Sequence, residues 1–157
     1  MLNSILVGLL LTAMTIAIHA TGTALWIRYL KRNERQSAGG RRASSHLRVL
    51  CATAIALLSL HIVEVVVWAL TYRILVGRQA FATIEEAIYF STVTFASLGY
   101  GDVVIDGPWR LLSAIQAMIG LLVFGWSSAL LFAVVQRILR IEDQSPKGPD
   151  QEASSGL

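Results

Sequence analysis

From Met1 to Ile27 the chain carries no charged side chain, and at a rise of about 1.5 Å per residue such a run crosses the roughly 30 Å hydrocarbon core of a bilayer. The pattern predicts a spanning helix over residues 1–30. A secretory signal would open on basic residues and have a shorter apolar core, so this helix is expected to be retained. Residues 31–48 break the pattern with a basic stretch containing Ser37, Gly39, Gly40, Ser44 and Ser45, which reads as a flexible loop. A second apolar run, Val49–Tyr72, holds His61 and Glu64 but is otherwise as apolar as the first, and predicts a helix over 49–73. A third, Leu111–Gln136, is uncharged. It follows Asp106-Gly107-Pro108, where Asp or Gly can cap and Pro108 can occupy the first turn, so a helix is expected over 109–137. Residues 140–157 are polar, and disorder is expected from about Gln144. One apolar piece remains. Ala87–Gly101 is uncharged but too short to cross as a helix and arrive on the far side, so it should enter and return, with its helix over 86–96. Irregular backbone at membrane depth is tolerated only where protein buries it or where it lines a watery cavity.

Composition agrees with this division. Apolar types make up 55% of the 157 residues and charged types 15%, which excludes a soluble enzyme with a large polar site. The net charge of +3 does not describe a nucleic-acid face, because seven of the thirteen Lys and Arg residues lie between Arg28 and Arg48. Bases concentrated between two spans set orientation instead. The basic loop is expected in the cytoplasm, with the N-terminus outside, the re-entrant segment dipping from the outer face and the C-terminus cytoplasmic. The single cysteine, Cys51, excludes a disulfide framework.

The re-entrant segment ends in Thr94-Phe95-Ala96-Ser97-Leu98-Gly99-Tyr100-Gly101-Asp102. Residues 97–102 resemble the signature filter of the potassium channel pore family, whose usual form is Thr-Val-Gly-Tyr-Gly-Asp. The setting is similar to that family's outer helix, pore helix, filter and inner helix. The resemblance covers residues 49–139 and leaves out the first helix and the basic loop. It implies an all-α membrane protein with three transmembrane helices, a re-entrant pore helix and a filter, assembled as a homotetramer around a central pore. It also implies potassium conduction by a tetrameric filter of backbone carbonyls, because a dehydrated ion needs a substitute hydration shell. Carbonyls of Ser97, Leu98, Gly99 and Tyr100 would line the ion sites, with the Ser97 hydroxyl innermost. Gly99 and Gly101 would supply the positive φ that the geometry needs. Asp102 would place negative charge at the outer mouth. Tyr89 and Phe90 match the aromatic pair that braces the filter in many members, with Thr94 beside them. Gly120, and after it Gly125, are the inner-helix glycines where members bend; the other reading is close packing of small residues. Where some members have a glutamate behind the filter, this chain has Val93. By family habit, the small size and lack of a sensor domain imply a prokaryotic plasma membrane.

His61 and Glu64 are three apart on one helical face, and His19 of the first helix can meet them. Ionisable groups in a span are costly unless paired, so these read as a buried pair that fixes helix packing or as a proton-sensing element. Glu85 and Glu86 open the pore helix, where carboxylates suit the positive end of the helix dipole. Trp26, Trp68, Trp109 and Tyr72 read as interfacial belt residues, Trp126 as a deeper packing residue and Cys51 as a small core residue. The first helix, hydrophobic all round, is expected on the outside of the outer helix. No helix carries Arg or Lys at every third position, and no phosphate loop, catalytic carboxylate pair or metal-ligand cluster is seen. The chain is therefore expected to be no enzyme and to take no cofactor, nucleic acid or small-molecule substrate. Its partners would be further copies of itself, lipid and potassium ions. A weakly selective cation channel and a non-conducting scaffold subunit are the competing readings.

Overall fold

The computed structural model describes residues 2–36, 43–77 and 80–143. They form four α-helices, α1 (Leu2–Gln36), α2 (Ala43–Leu75), α3 (Ile84–Phe95) and α4 (Arg110–Asp143), with a 3-10 turn over Gly107–Trp109 and no strand among the described residues. Leu2–Asn33, His46–Leu75 and Gly107–Arg140 are long and apolar enough to cross a membrane. The fold is that of an all-α membrane protein.

The ends of the long helices differ from the apolar runs. Helix α1 continues to Gln36 and α2 begins at Ala43, so much of the expected 31–48 loop is helical. Lys31, Arg32, Glu34, Arg35 and Gln36 are good helix formers, and charge that cannot enter lipid does not prevent a helix from extending into water. Residues 37–42 and the tail from Gln144 lie outside the described residues.

Helix α1 packs on α2 as expected, but not on α2 alone. It lies against both α2 and α4, and the face it buries is neither uniform nor strongly apolar: Ser4, Gly8, Leu11, Thr15, His19 and Thr23. These positions follow a spacing of three and four, one helical stripe. In lipid, burying apolar surface gives no advantage over leaving it among acyl chains, so helices associate through small residues and polar contacts. A Cβ at Gly8 would lie 2.5 Å from the Ile115 side chain of α4, and one at Gly22 would lie 2.3 Å from Leu60 of α2. Ser4 Oγ donates to the Pro108 carbonyl. Trp26 Nε1 donates to Thr53 Oγ1 at 3.1 Å and Trp68 Nε1 to Thr15 Oγ1 at 3.0 Å.

Several aromatic residues therefore sit elsewhere than a belt. Trp68, Tyr72, Phe81 and Phe95 are fully buried and Phe90 nearly so, in the core between α2, α3 and α4. Trp126, expected to be a deeper packing residue, meets the His19 ring edge-on at 5.4 Å, while Cys51 is exposed rather than in the core.

Candidate functional site

The re-entrant helix α3 begins with a reciprocal cap. Thr83 takes the extended conformation at the N-cap and its hydroxyl accepts from Glu86 N at 3.1 Å, while Glu86 Oε2 accepts from Ala82 N at 2.8 Å. This is the Thr-x-x-Glu capping pattern, which satisfies N–H groups that have no partner inside the helix. It was legible in Thr83-Ile84-Glu85-Glu86, and Glu86 does more there than complement a dipole.

Side chains from three helices then hold α3. Ser91 Oγ donates to the Val65 carbonyl of α2 at 2.8 Å. Gln116 of α4 donates through Nε2 to Ser91 Oγ at 2.7 Å and to the Ser91 carbonyl at 3.2 Å, and its Oε1 accepts from the Tyr72 hydroxyl at 2.8 Å. All three side chains are buried. A buried amide with its donors and acceptor engaged fixes one arrangement, because any shift leaves a polar group unpaired. Neither Gln116 nor Ser91 was singled out from the sequence. Only their polarity within apolar runs marked them.

Phe90 packs into this core and also lines the cleft beside residues 97–102. Its ring meets Tyr72 edge-on at 5.2 Å and Phe81 at 5.3 Å. At the lower end of α3, a Cβ at Gly120 would stand 2.0 Å from the Phe95 carbonyl oxygen. The absent side chain is what lets α4 approach the α3 backbone. Helix α4 runs continuously through Gly120 and Gly125, and a Cβ at Gly125 would meet nothing within 4 Å.

Helix α3 ends in a Schellman cap, with Ala96 at the C-cap and Ser97 in the left-handed position after it. Ala96 N donates to the Thr92 carbonyl, Ser97 N to that of Thr94 and Leu98 N to that of Val93, each at 2.9 Å. The chain then alternates in hand. Ser97, Gly99 and Gly101 have φ of 57°, 56° and 81°, while Leu98 and Tyr100 are not in the positive-φ region. Alternation of hand can turn successive peptide groups toward the same side of a segment. Gly99 and Gly101 take this conformation at little steric cost; Ser97 takes it with a Cβ, at a cost of about 1–2 kcal/mol. Ser97 Oγ lies 3.4 Å from the Ala117 carbonyl of α4.

Asp102 closes the segment. Its Oδ2 accepts from the Tyr89 hydroxyl at 2.7 Å, which ties the end of the strand back to α3 thirteen residues earlier. That hydrogen bond holds the Asp102 carboxyl below its ordinary range and raises the Tyr89 hydroxyl above its own. Val93, buried in α3, takes no part in it. Leu98 and Tyr100 are 56% and 67% exposed. Beside them a cleft of about 790 Å³ runs between the strand, α3 and the start of α4, lined by Tyr89, Val93, Tyr100, Val104, Arg110 and Ala117 among others.

His61 and Glu64 meet as expected, and His19 joins them. The two imidazoles and the carboxylate bring atoms within 4.8 Å of one another, a convergence of ligand-type groups that the sequence did not show. Two helices, α1 and α2, bring His19 to residues more than forty positions later in the chain.

Residues 60–137 match a family model described as "Ion channel". The match covers just under half of the chain, from α2 to near the end of α4, and supports a pore-loop ion channel that conducts ions passively. Comparisons with curated proteins and with solved structures find no match.

Proposed function

We propose that the chain is the subunit of a homotetrameric, potassium-selective channel, with Ser97–Gly101 as its filter. The observation that carries this reading is the alternation of φ at Ser97, Gly99 and Gly101 in a strand that leaves the C-terminal end of a re-entrant helix. One such strand offers a single row of carbonyls. Four, related by a cyclic axis, surround an ion and replace its hydration shell. The negative end of each α3 dipole at Phe95 faces the inner end of that axis and favours a cation there. Asp102, kept ionised by Tyr89, gathers cations at the outer mouth. The exposed Leu98 and Tyr100 and the open cleft beside them are the surface that neighbouring copies cover. Orientation follows from the bases at residues 28–48, which belong on the cytoplasmic side.

The purified chain, reconstituted in liposomes, should release potassium down its gradient and release little sodium. Gly99→Ala should abolish the flux while leaving the helical content unchanged, because a Cβ there meets nothing within 4 Å but forces an alanine to φ of 56°. Equal flux of the two ions would replace the reading with a weakly selective cation pore. Tetramers that pass neither ion would replace it with a scaffold subunit.

A further inference from the structure

The pore does not use the polar cluster formed by His19, His61, Glu64 and Ser127. His19 lies near the midpoint of the Leu2–Asn33 span, where α1, α2 and α4 meet. His19 and Glu64 are fully buried, and His61 and Ser127 are 6% and 8% exposed. Four contacts close a ring. Glu64 Oε1 is 3.0 Å from His19 Nδ1, and Oε2 is 3.1 Å from His61 Nδ1. On the other side Ser127 Oγ is 3.3 Å from His19 Nε2 and 3.0 Å from His61 Nε2. The two imidazoles stack with centroids 5.3 Å apart.

Each contact needs one hydrogen. With Glu64 ionised and both imidazoles neutral, the ring holds three: one on each imidazole and one on the serine. One contact would then oppose two lone pairs. A single further proton completes an imidazolium and supplies all four contacts. Both Nδ1–H groups donate to Glu64, the imidazolium Nε2–H donates to Ser127 Oγ, and the Ser127 hydroxyl donates to the remaining Nε2. The same proton brings the charge of the cluster to zero. No extra proton leaves −1 in the middle of a span and two leave +1, each costly where nothing compensates it. Hydrogen bonding and charge therefore select the same number.

We propose that His19, His61, Glu64 and Ser127 form a binding site for one excess proton, shared between the two histidines, and that this proton sets how α4 is held against α1 and α2. A divalent metal ion on the same donors would leave +1. Among the described residues, those around the ring supply no second carboxylate: α4 presents the rings of Trp126, 5.4 Å from His19, and Phe124, 4.5 Å from His61, and the end of α3 presents Phe95, 5.9 Å from His61. None of these three titrates, and aromatic rings beside His61 suit a cation. Phe95 also touches Phe124 at 5.7 Å, abuts Gly120 and precedes Ser97 by two residues. A change of charge at His61 thus reaches the base of the filter through one side chain. That consequence for conduction rests on the channel reading; the proton count does not.

The test is solid-state NMR of the full chain in lipid bilayers with ¹⁵N-labelled histidine. The sequence has three histidines, so His46→Gln leaves the two buried rings alone in the spectrum. At pH 7.5 half of the ring signal is expected from doubly protonated imidazolium, and Glu64→Gln should remove it. Two neutral rings in the Glu64 form, or one bound metal ion per chain by elemental analysis, would overturn the proposal. A second readout does not depend on the Glu64 variant folding. The unfolded chain carries two protons on these histidines well below about pH 6 and none well above about pH 7, whereas the folded site holds one. Stability should rise with pH on the acid side, where the unfolded state binds more protons, and fall on the alkaline side, by up to about tenfold in the folding equilibrium per pH unit per chain. The maximum is expected near about pH 6.5, and His19→Gln should flatten it. A profile that His19→Gln leaves unchanged would contradict the proposal. Potassium release should change over the alkaline limb, and release that is constant there while imidazolium is lost would refute the link to α4. A chain that conducts no ion yet shows one imidazolium per two rings sinks the channel reading and leaves the proton site standing.

Discussion

At the scale of single residues, the end of the 97–102 segment is tied to α3 by one hydroxyl. The Tyr89 hydroxyl donates to Asp102 and lowers its proton affinity. A carboxyl with a depressed folded-state pKa contributes stability that is present above the unfolded value and lost as pH falls through the folded one. Tyr89→Phe removes the donor. Loss of cation current on acidification of the outer side should then begin at a higher pH than in the native chain, as measured by flux against external pH. An unchanged profile would show that Asp102 does not depend on Tyr89. The part of the motif carried by residue type was legible in advance: Gly99 and Gly101 stand where φ is positive. The positive φ of Ser97 and the partner of Asp102 were not, since the first arises from how α3 unwinds and the second from a pairing across the mouth of the segment.

At the scale of elements, the two glycines of α4 make opposite predictions. Gly120→Ala drives a Cβ into the Phe95 carbonyl, which is backbone and cannot step aside as a flexible side chain could. A loss of about 1–3 kcal/mol is expected from such overpacking. Gly125→Ala meets nothing within 4 Å and should gain a few tenths to about 1 kcal/mol from helix propensity. Thermal unfolding of the two variants in the same detergent separates them, and equal shifts would contradict the packing role. Gln116→Leu should cost about 1–3 kcal/mol, because Ser91 and Tyr72 would lose a buried partner. Retention of native stability would show that water replaces the amide. The spans and the re-entrant piece were legible because lipid imposes length and apolarity on them. The side on which α1 docks was not, although its stripe of Ser4, Gly8, Thr15, His19 and Thr23 was visible in the sequence. Hydropathy weighs such residues as weak apolar positions, whereas in a membrane they are the contact surface. The same logic displaced Trp68 and Tyr72 from the interfaces into the core: each has a buried hydrogen-bond partner, which an aromatic residue needs when it leaves the interface.

At the scale of the whole molecule, three spans and a re-entrant helix leave the segment of Leu98 and Tyr100 exposed on an open face of the single chain. In the proposed tetramer that segment would serve as the filter, and selectivity would follow from carbonyl geometry rather than from net charge. Net charge at the mouth, by contrast, raises the local concentration of every cation alike. The direct measurement is the reversal potential of the reconstituted chain in a planar bilayer with potassium on one side and sodium on the other. A potential displaced far toward the potassium equilibrium value, and lost with conduction in Gly99→Ala, is the expected result. A potential near zero, with robust current carried by both ions, would contradict a potassium-selective filter at Ser97–Gly101.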